Sequence, residues 1–158
     1  MAITRSTDTV DSSKLLTTFP DHLNAIVVGA GGDLGAAITK QLFQAPKVGR
    51  VLALSRTPAE QNEKVLAAHI DLANPDTIEA AAARANECLE SVHLVFVATG
   101  LFHGGDLKPE NSLRNPAPQS FSTDATGLAL LTRAFIPLMP RTGKTVFATL
   151  SSPVGSTD

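Results

Sequence analysis

A chain of 158 residues with 43% hydrophobic and 18% charged residues has the size and composition of one folded domain with a buried core, which excludes a disordered segment. A net charge of −2 excludes a strongly basic surface, so neither nucleic acid nor an anionic membrane is the expected partner. The single cysteine, Cys88, excludes an internal disulfide or a multi-cysteine zinc site, and His22, His69, His93 and His103 fall at no metal-ligand spacing.

The first 21 residues, polar and rich in Ser and Thr, show no periodicity and are expected to form a flexible leader before a single domain over residues 22–158. They lack the apolar core of a secretory signal, and no apolar run approaches the ~20 residues of a membrane span. Cytoplasm is the default expectation.

Ala25–Val28 is a short apolar run ending at glycine, the signature of a strand buried on both faces. Leu34 to Ala45 reads as a helix with Leu34, Ile38, Leu42 and Phe43 on its apolar side. Val51–Leu54 is a second strand, and Thr57-Pro58-Ala59-Glu60 predicts a helix start through a capping box with Pro at the first position. Leu66–Ile70 is a third strand. Asn74-Pro75 opens the next helix, which alanines carry to about Ser91, with Cys88 inside it as a buried, inert thiol. Leu94–Ala98 is a fourth strand, followed by a loop rich in Gly, Pro and Asn from Gly100 to Pro118. A long amphipathic helix spans Phe121 to Leu138, and Thr145–Leu150 is a fifth strand. Strands alternating with single helices predict a parallel sheet with right-handed crossovers.

The segment Gly29-Ala30-Gly31-Gly32-Asp33-Leu34-Gly35 joins the first strand to the first helix. A phosphate-binding turn in that place needs glycines for the tight exit from the strand, for backbone approach to a pyrophosphate, and for close helix–strand packing. Gly29, Gly32 and Gly35 match those needs as GxxGxxG, and the helix N-terminus offers N–H groups to the phosphates. A purely structural tight turn is the alternative. Asp33 either points to solvent as a first-turn acid or stands beside the phosphates. About 20 residues further on, where an acid would accept the ribose 2′-OH of NAD, the chain has Ser55-Arg56. A guanidinium there suits a 2′-phosphate, so NADP(H) is the expected cofactor and NAD the lesser one, against the alternative of a solvated surface arginine. Asp71-Leu72 and Ala98-Thr99-Gly100 follow the third and fourth strands, at the strand ends where α/β sheets bind ligands. Asp71 serves either an adenine or ribose, or the cap of a turn.

These segments together resemble the short-chain dehydrogenase/reductase family, over about Asn24 to Gly155, and the run from Ala98 to Glu110 is similar to a subgroup labelled C-factor-like. The resemblance implies a Rossmann-type, doubly wound parallel sheet of about five strands with helices on both faces, the C-terminal part of the usual fold being missing. It implies cofactor contacts from Gly29, Gly31, Gly32, Asp33, Leu34 and Gly35 in the turn, and from Ser55 and Arg56 after the second strand. Asp71, Leu72, Ala98, Thr99 and Gly100 complete that set. Leu150 to Gly155 resembles the strand end bearing the catalytic serine, which gives Ser152 the role of hydrogen-bonding a substrate carbonyl or alcohol. Asp124 stands where the family has a helix asparagine that supports a proton-relay water.

Two departures from the family pattern stand out. Asp33 occupies a turn position that is Gly in many members, and the YxxxK pair that supplies the acid/base has no counterpart, since the sequence contains no Tyr. Three readings follow: an NADP(H)-dependent oxidoreductase acting on a small carbonyl or alcohol but truncated before YxxxK, a catalytically inactive NADP(H)-binding module, or a non-functional fragment. Thr145–Leu150, with no Pro or internal charge, is an edge strand expected to promote self-association.

Overall fold

The computed structural model of the chain describes residues 16–99 and 126–150. Five strands run in the order Leu23–Val28 (β1), Val48–Ser55 (β2), Val65–His69 (β3), Leu94–Val97 (β4) and Val146–Thr149 (β5). Three α-helices alternate with them: Asp33–Gln44 (α1), Pro75–Cys88 (α2) and Gly127–Phe135 (α3), the last continued by a 3-10 turn over Ile136–Leu138. All pairings are parallel, in the sheet order β3-β2-β1-β4-β5. Strand order therefore reverses beside β1, between β1 and β4, and it is at the crevice outside the carboxyl ends of such a switch point that doubly wound sheets take ligands.

The apolar runs read from the sequence build two cores, one on each sheet face. Ile26 and Val28 of β1 point with Leu52, Leu54, Val95 and Val97 toward α2 and α3, where Ile78, Leu131 and Phe135 are fully buried. Ala25 and Val27 point the other way, with Val51, Ala53 and Leu94, toward α1. That second core also takes in Phe19, from the segment read as leader, and Lys47 Nζ donates to the Phe19 carbonyl at 2.8 Å.

Three expectations are corrected. No helix forms after β2: residues 56–64 contain one apolar side chain, Ala59, so a helix there has no face to bury and too few turns to stand alone. Asn62 instead turns the chain into β3, its Oδ1 accepting from the N–H groups of Lys64 and Val65. On α1, Leu34 is 50% and Phe43 45% exposed; the contact line is Gly35, Ile38, Leu42 and Ala45, which is the i, i+3, i+7 spacing of one helix face. The third helix breaks into a 3-10 turn at Ile136, three residues short of its predicted end, with Pro137 entering that turn. The start predicted at Phe121 lies outside the described residues.

Candidate functional site

The glycine turn sits at the carboxyl end of β1. Gly29 has φ +87°, a conformation that favours glycine, and its N–H donates to the Leu54 carbonyl at 2.8 Å. A side chain there would strike Thr99 Cγ2 at 2.8 Å, so the turn is pressed against the end of β4. A Cβ on Gly35 would lie 2.7 Å from the Gly29 carbonyl carbon and closer still to its oxygen, so glycine lets α1 pack onto the turn.

Gly32 differs from both. It is the N-cap of α1, exposed, at φ −86°, and a Cβ on it would meet only the Gly29 carbonyl oxygen, at an ordinary 3.6 Å. The protein itself does not require glycine there. No side chain caps α1, so its first N–H groups stay open at the strand ends, with the Asp33 carboxylate in the first turn opposing their partial positive charge. Asp33 and Leu34, in the first turn, are both exposed.

Beside the turn, β2 ends on Ser55, which is 7% exposed and packs next to Gly31: a Cβ on that glycine would lie 3.3 Å from Ser55 Cβ. Ser55 Oγ donates to the Thr57 carbonyl at 2.7 Å. Arg56 is exposed and takes part in no ion pair among the described residues. His69, at the end of β3 and in register with Ser55, reaches across with Nδ1 2.9 Å from the Arg56 carbonyl.

Asp71, half-buried after β3, uses Oδ1 to accept from the Ala73 N–H at 3.0 Å, while its main chain is held by Thr77 Oγ1. One carboxylate oxygen thus caps a turn, and Asp71 remains at the strand ends. The Leu72 side chain is core, 9% exposed, and a Cβ on Gly127 at the start of α3 would lie 3.1 Å from it. Ala98 donates from its N–H to the Val28 carbonyl at 2.8 Å and leads to Thr99 beside Gly29.

The structure therefore gathers Gly29, Gly31, Gly32, Gly35, Ser55, Arg56, Asp71, Ala98 and Thr99 at one edge of the sheet. Gly100, Asp124 and Ser152 lie outside the described residues. His69 was not singled out from the sequence. Its place opposite Ser55 follows from the β2–β3 register, a long-range pairing that only an aligned hydrophobic pattern would signal.

Cys88 is half-buried on α2, and burial pushes its thiol pKa up, away from the reactive thiolate. Among the described residues no three His, Cys, Asp or Glu side chains group as a metal site, and no helix is long and apolar enough to cross a membrane.

A parallel sheet ordered β3-β2-β1-β4-β5, helices on both faces, and a glycine turn opening the first helix define the doubly wound, Rossmann-like class of α/β protein. Within that class the family model for short chain dehydrogenase matches residues 23–158, and the chain belongs to that family. No curated protein matches it in sequence. Among solved structures it is similar to the putative carbonyl reductase Sniffer of Caenorhabditis elegans, at TM-score 0.72 and 16% identity, covering 87% of this chain and 65% of that one. It is similar to the NADPH-bound carbonyl reductase from chicken fatty liver at TM-score 0.63 and 19% identity, covering 80% of this chain and 51% of that one. A short-chain dehydrogenase from Streptomyces avermitilis aligns at TM-score 0.65 and 23% identity, covering 84% and 50%. At these identities the likeness is one of fold. The chain spans between half and two thirds of the length of these proteins.

Proposed function

We propose that the crevice at the strand ends binds NADP(H), with the glycine turn and the α1 N-terminus receiving the pyrophosphate and Arg56 receiving the 2′-phosphate. The observation that carries this reading is Arg56 itself. It stands one residue beyond β2, exposed and without an ion-pair partner among the described residues, at the place where an acid would serve the 2′-OH of NAD. Gly32 supports it, since a glycine that the protein could replace with a larger residue leaves backbone open to a ligand. The neighbour from chicken fatty liver is itself described as NADPH-bound.

When bound, the nicotinamide supplies hydride exchange with a carbonyl or alcohol. By family resemblance Ser152 hydrogen-bonds the substrate oxygen and Asp124 supports a water. The 158 residues contain no tyrosine, so a polypeptide of this sequence lacks the usual phenol acid/base, worth about 10²–10⁴-fold. In addition, the outer edge of β5 is proposed to mediate self-association of a polypeptide of this sequence.

The test is a fluorescence titration of NADPH and NADH against the wild type and Arg56→Glu. The substitution places a carboxylate against the 2′-phosphate and is expected to weaken NADPH at least tenfold while leaving NADH within about twofold. Equal losses for both cofactors would remove the assignment.

A further inference from the structure

We propose that His69 is a positioning residue for NADP(H) selection, acting through the turn that presents Arg56. The inference rests on the NADP(H) reading above and adds to it a residue that makes no claim on the cofactor directly.

Three consecutive carbonyls leave β2, and each is occupied by a donor. The Ser55 carbonyl accepts from the Ile70 N–H at 3.0 Å, the Arg56 carbonyl from His69 Nδ1 at 2.9 Å, and the Thr57 carbonyl from Ser55 Oγ at 2.7 Å. A carbonyl only accepts, so Nδ1 of His69 carries the proton in this contact. The N–H groups of Arg56 and Thr57, by contrast, have no acceptor among the described residues. With each of these carbonyls already hydrogen-bonded, the turn offers an incoming group two N–H groups and the Arg56 guanidinium. Such a cluster of donors suits an anion better than a neutral hydroxyl, through charge-assisted hydrogen bonds.

Two of the three ties are local to β2 or belong to the sheet ladder. The third is supplied from β3 by His69, an exposed side chain at an edge strand whose packing contributes little. An exposed strand-end position accepts almost any polar residue, so the ring's reach to the carbonyl of the one arginine in the turn is its distinguishing property. Without it, the Arg56 carbonyl would turn to solvent and Arg56 would sample more backbone states before closing on a phosphate, an entropic cost specific to the phosphorylated cofactor.

The experiment compares dissociation constants for NADPH and NADH in the wild type, His69→Val, His69→Asn and Arg56→Gln, all as the full chain. His69→Val keeps strand propensity and removes the donor. It is expected to weaken NADPH about fivefold while NADH stays within about twofold. His69→Asn, whose amide N–H can serve the same carbonyl, is expected to restore most of the loss. A merely structural role would lower both cofactors together and would not distinguish Val from Asn, and either of those results overturns the proposal. If Arg56→Gln shifts the NADPH-to-NADH ratio and His69→Val does not, only the positioning role falls. If Arg56→Gln leaves the ratio unchanged, the NADP(H) reading falls and this inference with it.

Discussion

The glycines of the turn from Gly29 to Gly35 do different work, which their spacing alone does not separate. Gly29 needs its left-handed φ, and Gly35 needs to lack a Cβ because the Gly29 carbonyl occupies that space. Gly35→Ala is therefore expected to cost about 2 kcal/mol or more by urea denaturation, since backbone must shift to admit the methyl group. Gly32→Ala is expected to cost about 1 kcal/mol, less than Gly35→Ala, because the added methyl finds ordinary contact and only the N-cap preference for glycine over alanine is lost. The same substitution should weaken NADPH binding. Unchanged NADPH affinity in Gly32→Ala would show that the cofactor does not approach that backbone. The placement of the glycine turn, Ser55, Arg56 and Asp71 at strand ends was legible because each follows an apolar run. His69 was not, since its partner is 13 residues away across a sheet register. The inward turn of the Leu72 side chain against Gly127 was not legible, because an apolar residue after a strand end does not announce which way it points.

At the scale of elements, the parallel strands read correctly because they are short and apolar on both faces, whereas the helix predicted at Thr57 failed for want of an apolar face. Local capping signals do not suffice without burial. Where burial accompanies the cap, the signal holds: Asn74 Oδ1 accepts from the Asp76 N–H at 3.1 Å, and Asn74→Ala is expected to cost about 1 kcal/mol in urea unfolding. At the opposite end of the sheet from the crevice, the Asn24 N–H donates to His93 Nδ1 at 3.2 Å, and burial lowers the His93 pKa below 6.5. This contact needs an unprotonated Nδ1. As pH falls through about 6.5 the unfolded chain takes up the proton first, so stability declines until pH reaches the lower folded pKa and then levels. Urea midpoints measured from pH 7.5 down to 5 should fall more steeply for the wild type than for His93→Gln; parallel curves would contradict the assignment.

For the molecule as a whole, the two sheet faces are unequally covered. The face under α2 and α3 holds the fully buried Phe135, Leu131 and Ile78, while on the α1 side Phe96, Val146 and Ala148 of β4 and β5 are only partly buried. Thr149 and Leu150 at the end of β5 are exposed, and β5 pairs only with β4 among the described strands. An apolar edge strand with no charge to block pairing recruits further strands. Light scattering at micromolar concentration is expected to show self-association of the 158-residue polypeptide, reduced by Thr149→Lys, which places a charge on the edge. A monomer in the wild type would contradict this.

The proposed fit of the strand-end crevice to a 2′-phosphorylated dinucleotide is tested by saturable quenching or enhancement of NADPH fluorescence on addition of the wild-type chain. Saturation with NADPH, displacement by excess NADP⁺ and at least tenfold weaker binding of NADH are expected. No saturable signal with NADPH, or equal affinity for NADPH and NADH, would contradict it.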